Sequence, residues 1–348
     1  MNLTRRAFFA TTCMGALSLA ACDAGAGTAK EGVYNVEMVT NTGGIHDQGF
    51  CELSWKGLQR LRDTLGYKVS YIESKQDSDY FTNLDKAIDY GANFVWSIGF
   101  AMADAAYLTA RINHDLDVQF GIVDSGTNGE SNLTGILFAT QEPSFLVGYV
   151  AGKTTKSNKV GFVGGIESDN IYSFEYGYMG GVLYAAKELG HEIEVFRQYA
   201  ESFNDSAKGK SIAQKMFATG ADVIYHAAGS TGIGVIEAAQ ETGKFAIGVD
   251  MDQSYLAPNN VLTSALKRVD HAIEDLTPQL LTGEIKGGTD IILKLEDGDY
   301  MGIPEEHGLM PEGVYEDTLA LMEMIKVGTI VPPATSEEYE AFKSELAK

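Results

Sequence analysis

The 348-residue chain has few basic residues, 26 lysines and arginines against 48 aspartates and glutamates, and only three cysteines. Its formal charge of −22 argues against nucleic acid or an anionic membrane surface as partner, because both repel an acidic protein. Cys13 and Cys22 belong to the N-terminal segment, so Cys51 has no disulfide partner in the remaining chain. A catalytic thiol would need a base such as His46, and a packing role for Cys51 is the simpler interpretation.

Common catalytic motifs are also missing. The six histidines form no H-E-x-x-H pattern, and no G-x-S-x-G segment occurs. The glycine-rich segment 227–234 can hold a phosphate at a helix N-terminus, or indicate a dinucleotide site together with Asp250. However, Glu237 stands where the third glycine of a dinucleotide motif would be. We therefore expect neither a cofactor nor an enzymatic activity.

The N-terminus has the pattern of an export signal. Two arginines precede a short apolar run that ends in Leu19-Ala20-Ala21-Cys22. The ending resembles a bacterial lipobox, whose cysteine carries lipid, and the arginine pair resembles a twin-arginine signal. We predict a signal peptide over 1–21 and a lipid-anchored tether over 22–32, attached through Cys22. The protein would then be held at the extracytoplasmic face of the cell membrane.

The rest of the chain alternates strand-like and helical segments. Apolar stretches such as 33–40 and 118–124 are followed by helical patterns that end at glycine, and the alternation returns from residue 159 onward. This pattern predicts an α/β fold with parallel sheets in two doubly wound lobes. The late segments 261–266 and 289–295 are predicted to cross back between the lobes.

These crossings give discontinuous lobes. The predicted first lobe comprises 33–140 and about 252–285, the second comprises 141–251 and about 286–330, and 331–348 form a C-terminal tail. Ligands of such sheets bind beyond the carboxyl ends of the strands. The candidates at those ends are Asn41, Asp124, Gly229 and Asp250.

The loop after the first strand, 40–50, has the composition of a ligand-binding loop. Its glycines let the backbone approach a ligand, Asn41 and Thr42 are polar, and Phe50 offers a flat face for stacking. The same pattern also fits a glycine-rich turn with Phe50 in the core.

Charged residues follow several apolar strands. Asp124 can accept hydrogen bonds from ribose hydroxyls or a base edge, or serve as a turn or N-cap residue. Asp250 and Asp252 can form a metal or glycosidase site, but no calcium-loop spacing follows, and no metal site is predicted. Lys267 can balance a carboxylate, or cap a helix in solvent.

Several segments resemble the basic membrane protein family of lipoproteins, which includes bacterial purine-nucleoside receptors of ABC transporters. The resemblance extends over roughly 33–328. In chain order, the segments that carry it are 40–50 with 55–57, 160–165, 202–205 with 207–209, 226–229, 247–253 and 262–270.

The resemblance implies two α/β lobes joined by crossover strands, the type I periplasmic-binding-protein architecture, closing on a ligand by hinge motion. In the family's nucleoside receptors two phenylalanines sandwich the base. By motif position these rings correspond to Phe50 and Phe203, with Phe174 as the alternative to Phe203. Acidic groups and a lysine hold base and ribose. By motif position these correspond to Asp124, Gly229, Asp250 and Lys267.

Two positions depart from the family. Asn41 stands where relatives often have aspartate, and Cys51 where they usually have asparagine. The resemblance implies a monomeric ABC-transporter substrate-binding lipoprotein that captures a nucleoside, a purine being favoured, and delivers it to a permease. Riboflavin or another small polar ligand such as a sugar stays open as an alternative, as do a secreted nucleoside hydrolase and a surface adhesin.

Overall fold

The computed structural model describes residues 33–306 and 308–348. The predicted signal peptide 1–21, the lipid-attachment site Cys22 and the tether 22–32 lie outside these residues. Within the described part, no helix is both long enough and apolar enough to cross a lipid bilayer.

Strands and helices alternate along the chain, which confirms the predicted α/β class. The described strands are β1 Asn35–Thr40, β2 Lys68–Glu73, β3 Phe94–Ile98, β4 Gln119–Val123, β5 Leu133–Phe138, β6 Lys159–Gly164, β7 Glu194–Tyr199, β8 Val223–Ala227, β9 Phe245–Asp250, β10 Val261–Lys267, β11 Asp290–Leu293 and β12 Met301–Gly302. The described helices are α1 Phe50–Leu65, α2 Tyr80–Asp89, α3 Ala103–Ile112, α4 Gln141–Thr154, α5 Asp169–Leu189, α6 Ser206–Thr219, α7 Thr231–Thr242, α8 Val269–Thr282, α9 Val314–Lys326 and α10 Ser336–Leu346.

The two sheets have the same winding. The first has the strand order β2-β1-β3-β4-β5-β11, and all its strands are parallel. The second has the order β7-β6-β8-β9-β10-β12, and only the short β12 runs antiparallel to its neighbour. Every residue of β3 and β8 is buried, as expected for parallel strands covered by helices on both faces.

Within residues 33–306 and 308–348, the chain crosses between the lobes three times, after β5, after β10 and after β11. The predicted lobe boundaries were wrong for two strands. The prediction places β10 in the first lobe, but this strand pairs with β9 in the second sheet. It places β11 in the second lobe, but this strand pairs with β5 in the first sheet. An apolar strand can extend either sheet, so its own sequence does not specify which neighbour it pairs with.

Local signals explain most element ends. Helix α1 buries Leu53, Leu58 and Leu61 along one face and ends at Gly66, whose left-handed backbone closes the last turn. The helical spacing over 174–189, closed by Gly190, predicts a helix from Phe174. Helix α5 begins five residues earlier, because Ser168 caps it by accepting a hydrogen bond from the Ile171 N–H. The predicted C-terminal tail contains α10, which packs on α5.

Candidate functional site

A cavity opens between the two lobes at the carboxyl ends of their strands. Its volume is about 620 Å³, including space open to solvent, which is within the range of small-molecule sites. The first lobe lines it with residues that follow β1, β3 and β4, and the second with residues at the ends of β8, β9 and β10. Its walls combine phenylalanine rings with buried charged groups.

The sheet topology explains this position. Winding reverses between β1 and β3 in the first sheet and between β6 and β8 in the second. Ligands of doubly wound sheets bind at such switch points. Asn41 and Gly99 follow β1 and β3, and Gly229 follows β8, so the cavity lies where the two switch points face each other.

Most of the residues predicted to bind a ligand meet in this cavity. Thr42 does not line it, and its carbonyl oxygen instead accepts a hydrogen bond of 3.4 Å from Asn204 Nδ2 of the other lobe. Phe174, the fallback for the second ring, does line it. A binding role for these residues stays a prediction. The predicted residues that line the cavity are Asn41, Phe50, Asp124, Phe203, Gly229, Asp250 and Lys267.

An ion pair joins the lobes inside the cavity. Lys267 Nζ at the end of β10 lies 2.6 Å from Asp124 Oδ2, which follows β4. The two side chains are 2% and 5% exposed. Asn170 Nδ2 lies 3.5 Å from the same oxygen, whereas Asp124 Oδ1 has no hydrogen-bond partner among the described residues. Lys267 therefore balances a carboxylate, and the alternative of a helix cap in solvent is wrong.

Aromatic rings surround the same ammonium group. Lys267 Nζ lies 4.6 Å from the ring centre of Phe50, 5.2 Å from that of Phe138 and 5.7 Å from that of Phe174. These distances allow attraction between the cation and the ring faces. The rings thus stabilise a buried charge while two of them, Phe50 and Phe174, also line the cavity.

Asp250 ends β9 on the opposite wall. Burial, with the charges of Asp47 and Asp124 adding to it and Lys267 opposing, raises the pKa of Asp250 to about 7. Asp250 and Asp124 both have left-handed backbone angles, φ 66° and 67°. Such strain in non-glycine residues is often found at functional sites.

Asp47 organises the first loop. Its carboxylate accepts hydrogen bonds from the backbone N–H groups of Gly49, Cys51 and Glu52 at 2.8 to 3.1 Å, and thereby caps α1. Burial raises the pKa of Asp47, and these N–H groups partly offset the shift. The cap fixes Phe50, the first residue of α1, at the cavity wall.

Phe203 forms part of the opposite wall. Its ring packs edge-to-face against Phe100, with the ring centres 6.0 Å apart and the planes at 77°. A side chain at Gly165 would collide with Phe203, so the glycine after β6 leaves room for the ring. Two phenylalanines from different lobes, Phe50 and Phe203, therefore line one cavity.

Sequence reasoning missed some cavity residues. Phe100 follows β3, so the rule that selected Asp124 at a strand end would have found it. Asn170 lies in the first turn of α5, and recognising Ser168 as the N-cap would have placed it near the cavity. Asp47 also lines the cavity and lies in the loop 40–50, but it was not among the residues predicted to bind a ligand.

The other candidate sites have ordinary structural roles. Asp252 Oδ1 accepts a hydrogen bond from the Ser254 N–H in a turn. Cys51 is buried against Asn41, whereas His46 is exposed. Over residues 33–306 and 308–348, no three acidic, histidine or cysteine side chains gather as metal ligands would.

Hydrogen bonds between the lobes surround the cavity. Gln253 Nε2 of the second lobe donates to the Gln48 carbonyl of the first at 2.9 Å. Gln253 Oε1 lies 3.0 Å from His226 Nε2 and accepts the Val249 N–H at the same distance. Ser230 Oγ lies 3.5 Å from the Asp47 carbonyl oxygen. These contacts describe a closed cleft.

Two lobes of identical winding with a cavity at their switch points form the type I periplasmic-binding-protein architecture that the sequence predicts. Residues 35–336 match the family model of PnrA-like ABC transporter substrate-binding proteins, and the chain belongs to this family. The resemblance stated from sequence is thereby confirmed.

Individual relatives agree with this assignment. Basic membrane protein A of Borreliella afzelii is 37% identical over 323 residues, which cover 91% of this chain and 97% of the relative. The ABC transporter nucleoside-binding protein BmpA of Lactococcus lactis subsp. cremoris is 38% identical over 284 residues, covering 75% and 79%. A solved solute-binding protein of an ABC transporter system from Aeropyrum pernix has a TM-score of 0.79 at 25% identity, covering 90% and 97%.

Proposed function

We propose that this protein captures a nucleoside, with a purine nucleoside as the favoured ligand, and delivers it to the permease of an ABC transporter. The supporting observation is the composition of the cavity, in which phenylalanines of both lobes lie beside Asp124, Asp250 and Lys267. A nucleoside has a flat base and a polar ribose, and the cavity offers a matching surface for each.

Energies of known size make tight binding reasonable. Stacking of a base on aromatic rings contributes about 1–3 kcal/mol per base. Hydrogen bonds from ribose hydroxyls to a carboxylate contribute about 1.5–3 kcal/mol each. After the costs of association and closure, affinities below micromolar are within reach. The name of the Lactococcus lactis relative, a nucleoside-binding protein, supports the same ligand class.

The proposal includes the cellular setting. We infer a monomer on the extracytoplasmic face of the cell membrane, anchored by a lipid on Cys22. Arg5 and Arg6 support export by the twin-arginine route. Mass spectrometry of the exported protein would detect the lipid and the loss of residues 1–21.

Equilibrium binding tests the ligand class. We expect adenosine or guanosine to bind with a dissociation constant below micromolar in calorimetry, and riboflavin and ribose to bind far more weakly. Phe50→Ala should weaken nucleoside binding by about 5- to 150-fold, the equivalent of the stacking energy. Phe81→Ala is the matched control, because Phe81 is exposed on α2 and does not line the cavity.

Several outcomes would reject the proposal. They are silence toward every nucleoside, preference for riboflavin, or equal losses in Phe50→Ala and Phe81→Ala. Recovery of free base from a nucleoside incubated with the protein would indicate a hydrolase. Mass spectrometry of ligand that co-purifies with the protein gives an independent identification.

A further inference from the structure

The surroundings of Asn41 fix the direction in which its side-chain amide can form hydrogen bonds. Asn41 Oδ1 accepts a hydrogen bond from the Gly43 N–H at 2.8 Å. A backbone N–H can only donate, so the amide atom that faces it must be the oxygen. The two ends of an amide look alike in shape, and a contact of this kind is what distinguishes them.

Cys51 favours the same orientation. Its Sγ lies 3.4 Å from Asn41 Oδ1, and the side chain is 1% exposed. Burial, with the charge of Asp47 adding to it, raises the pKa of the Cys51 thiol well above its usual range. The sulfur therefore keeps its hydrogen and can donate it. The Gly43 N–H donates to Oδ1, and the Cys51 thiol lies within reach of the same oxygen and of the Asp47 carboxylate.

The other end of the amide lies beside Gly99, which lines the cavity. A Cβ placed on Gly99 would lie 2.8 Å from Asn41 Nδ2 and 3.4 Å from Phe50 Cε1. Gly99 has φ 106°, which disfavours any side chain there and leaves this space to the amide. Within residues 33–306 and 308–348, the two hydrogen bonds of the Asn41 side chain both involve Oδ1, and none involves Nδ2. A donor thus lies at the edge of the Phe50 ring.

We propose that Asn41 acts only as a hydrogen-bond donor to the bound base, and that Cys51 is its positioning residue. The inference rests on the proposed function and specifies the ligand further. The base must present an acceptor, a ring nitrogen or a carbonyl oxygen, at this place. A base that presents an N–H group leaves two donors facing each other and is disfavoured. Ionised aspartate at this position would have the opposite preference, because it only accepts.

Ligands that lack one acceptor test this polarity. Adenosine is compared with its 1-deaza, 3-deaza and 7-deaza analogues, and inosine with purine riboside, which lacks the carbonyl. For the wild type we expect the loss of one of these acceptor atoms from the ligand to weaken binding by about tenfold, which corresponds to one hydrogen bond. The Asn41→Asp variant should bind the parent nucleoside about tenfold or more weakly than the wild type does. The ratio of its affinities for parent and analogue should fall to near one. Equal ratios in both proteins would overturn the proposal.

The role of Cys51 is read from the same ratio. Cys51→Ala removes the thiol donor and should reduce the discrimination between parent and analogue. Cys51→Ser supplies a hydroxyl donor and should restore it. A merely structural role would weaken parent and analogue alike and leave their ratio unchanged, which would overturn the positioning role. Circular dichroism of both variants checks that they fold.

Nuclear magnetic resonance of the ligand-free chain tests the amide orientation independently of any nucleoside. In deuterated protein with labelled asparagine and protonated glycine, the Asn41 amide hydrogens should show Overhauser contacts to the Gly99 Hα. Contacts to the Gly43 Hα instead would overturn the inference. If the wild type binds no nucleoside, the proposed function fails, and this measurement alone decides the polarity of the subsite.

Discussion

Asp124 and Asp250 occupy equivalent places in the two lobes but have different electrostatic surroundings. β4 and β9 have the same position in the strand orders of their sheets, and each aspartate stands at the carboxyl end of its strand. Their φ angles, 67° and 66°, agree closely. Asp124 pairs with Lys267 at 2.6 Å, whereas burial raises the pKa of Asp250 to about 7.

The source of the difference is one lysine. Lys267 ends β10, the strand next to β9, and its neighbour Leu266 is in register with Asp250. The ammonium group nevertheless reaches across the cleft to Asp124 of the other lobe. Repeated topology thus places two carboxylates alike. The lysine forms its ion pair with Asp124, whereas at Asp250 its charge only opposes the pKa shift that burial causes. Substitutions at Lys267, Asp250 and Phe138 test the electrostatic difference between the two aspartates.

Removal of Lys267 should have the largest effect. Lys267→Met leaves the Asp124 carboxylate buried without a cation, and we expect a loss of about 3–5 kcal/mol in the free energy of unfolding at pH 7. Urea denaturation of the ligand-free protein measures it. Lys294→Met is the matched control, because Lys294 forms an exposed pair with Glu296 at 3.5 Å, worth at most about 1 kcal/mol.

The double variant Asp124→Asn with Lys267→Met removes both charges and should regain part of the stability. Similar losses in Lys267→Met and Lys294→Met would show that the interlobe pair contributes no more than a surface pair, and the contrast between the two aspartates would lose its cause.

Asp250 should give a pH-dependent effect of intermediate size. Its folded-state pKa is raised, so between about pH 4 and 7 the folded protein keeps a proton that the unfolded chain releases. This group therefore lowers stability as the pH rises through that range. Asp250→Asn lacks the effect, and its stability relative to wild type should be about 2 kcal/mol greater at pH 8 than at pH 5.

Denaturation at both pH values measures the difference, and Asp252→Asn controls for removal of one carboxylate. Burial lowers the pKa of His226 to about 4, so His226 has the opposite effect, with stability lost as the pH falls from about 6.5 towards 4. His226 is present in both proteins, and its contribution cancels in the comparison. An Asp250→Asn difference that does not change with pH would contradict the raised pKa.

The aromatic surroundings of Lys267 should contribute least. Phe138→Leu keeps an apolar side chain but removes a ring 5.2 Å from the ammonium. Phe138 does not line the cavity, so the change tests the interaction between its ring and the Lys267 ammonium without altering a cavity wall. In a double-mutant cycle with Lys267→Met, we expect a coupling energy of about 1 kcal/mol in unfolding. A coupling of zero would mean that Phe138 only fills space.

Local patterns were sufficient to predict most of the strands and helices. The helical spacing over 206–219, closed by Gly220, predicts a helix, and α6 has these bounds. The swapped assignment has two causes: the predicted boundary separated β10 from β9, the strand that precedes it and pairs with it, and β11 pairs with β5, which lies far earlier in the chain. The strand-end rule found Asp124 and Asp250, but an incomplete view of α5 left out Asn170.

The alternation of strands and helices, the loops at the strand ends and the residue types they carry follow from local sequence, because periodicity and glycine act over a few residues. That Lys267 forms its ion pair with Asp124 and not with Asp250 follows from the tertiary structure only. This pairing depends on the distance between groups far apart in the chain. Electrostatic and hydrogen-bonding energies vary with such distances and with burial.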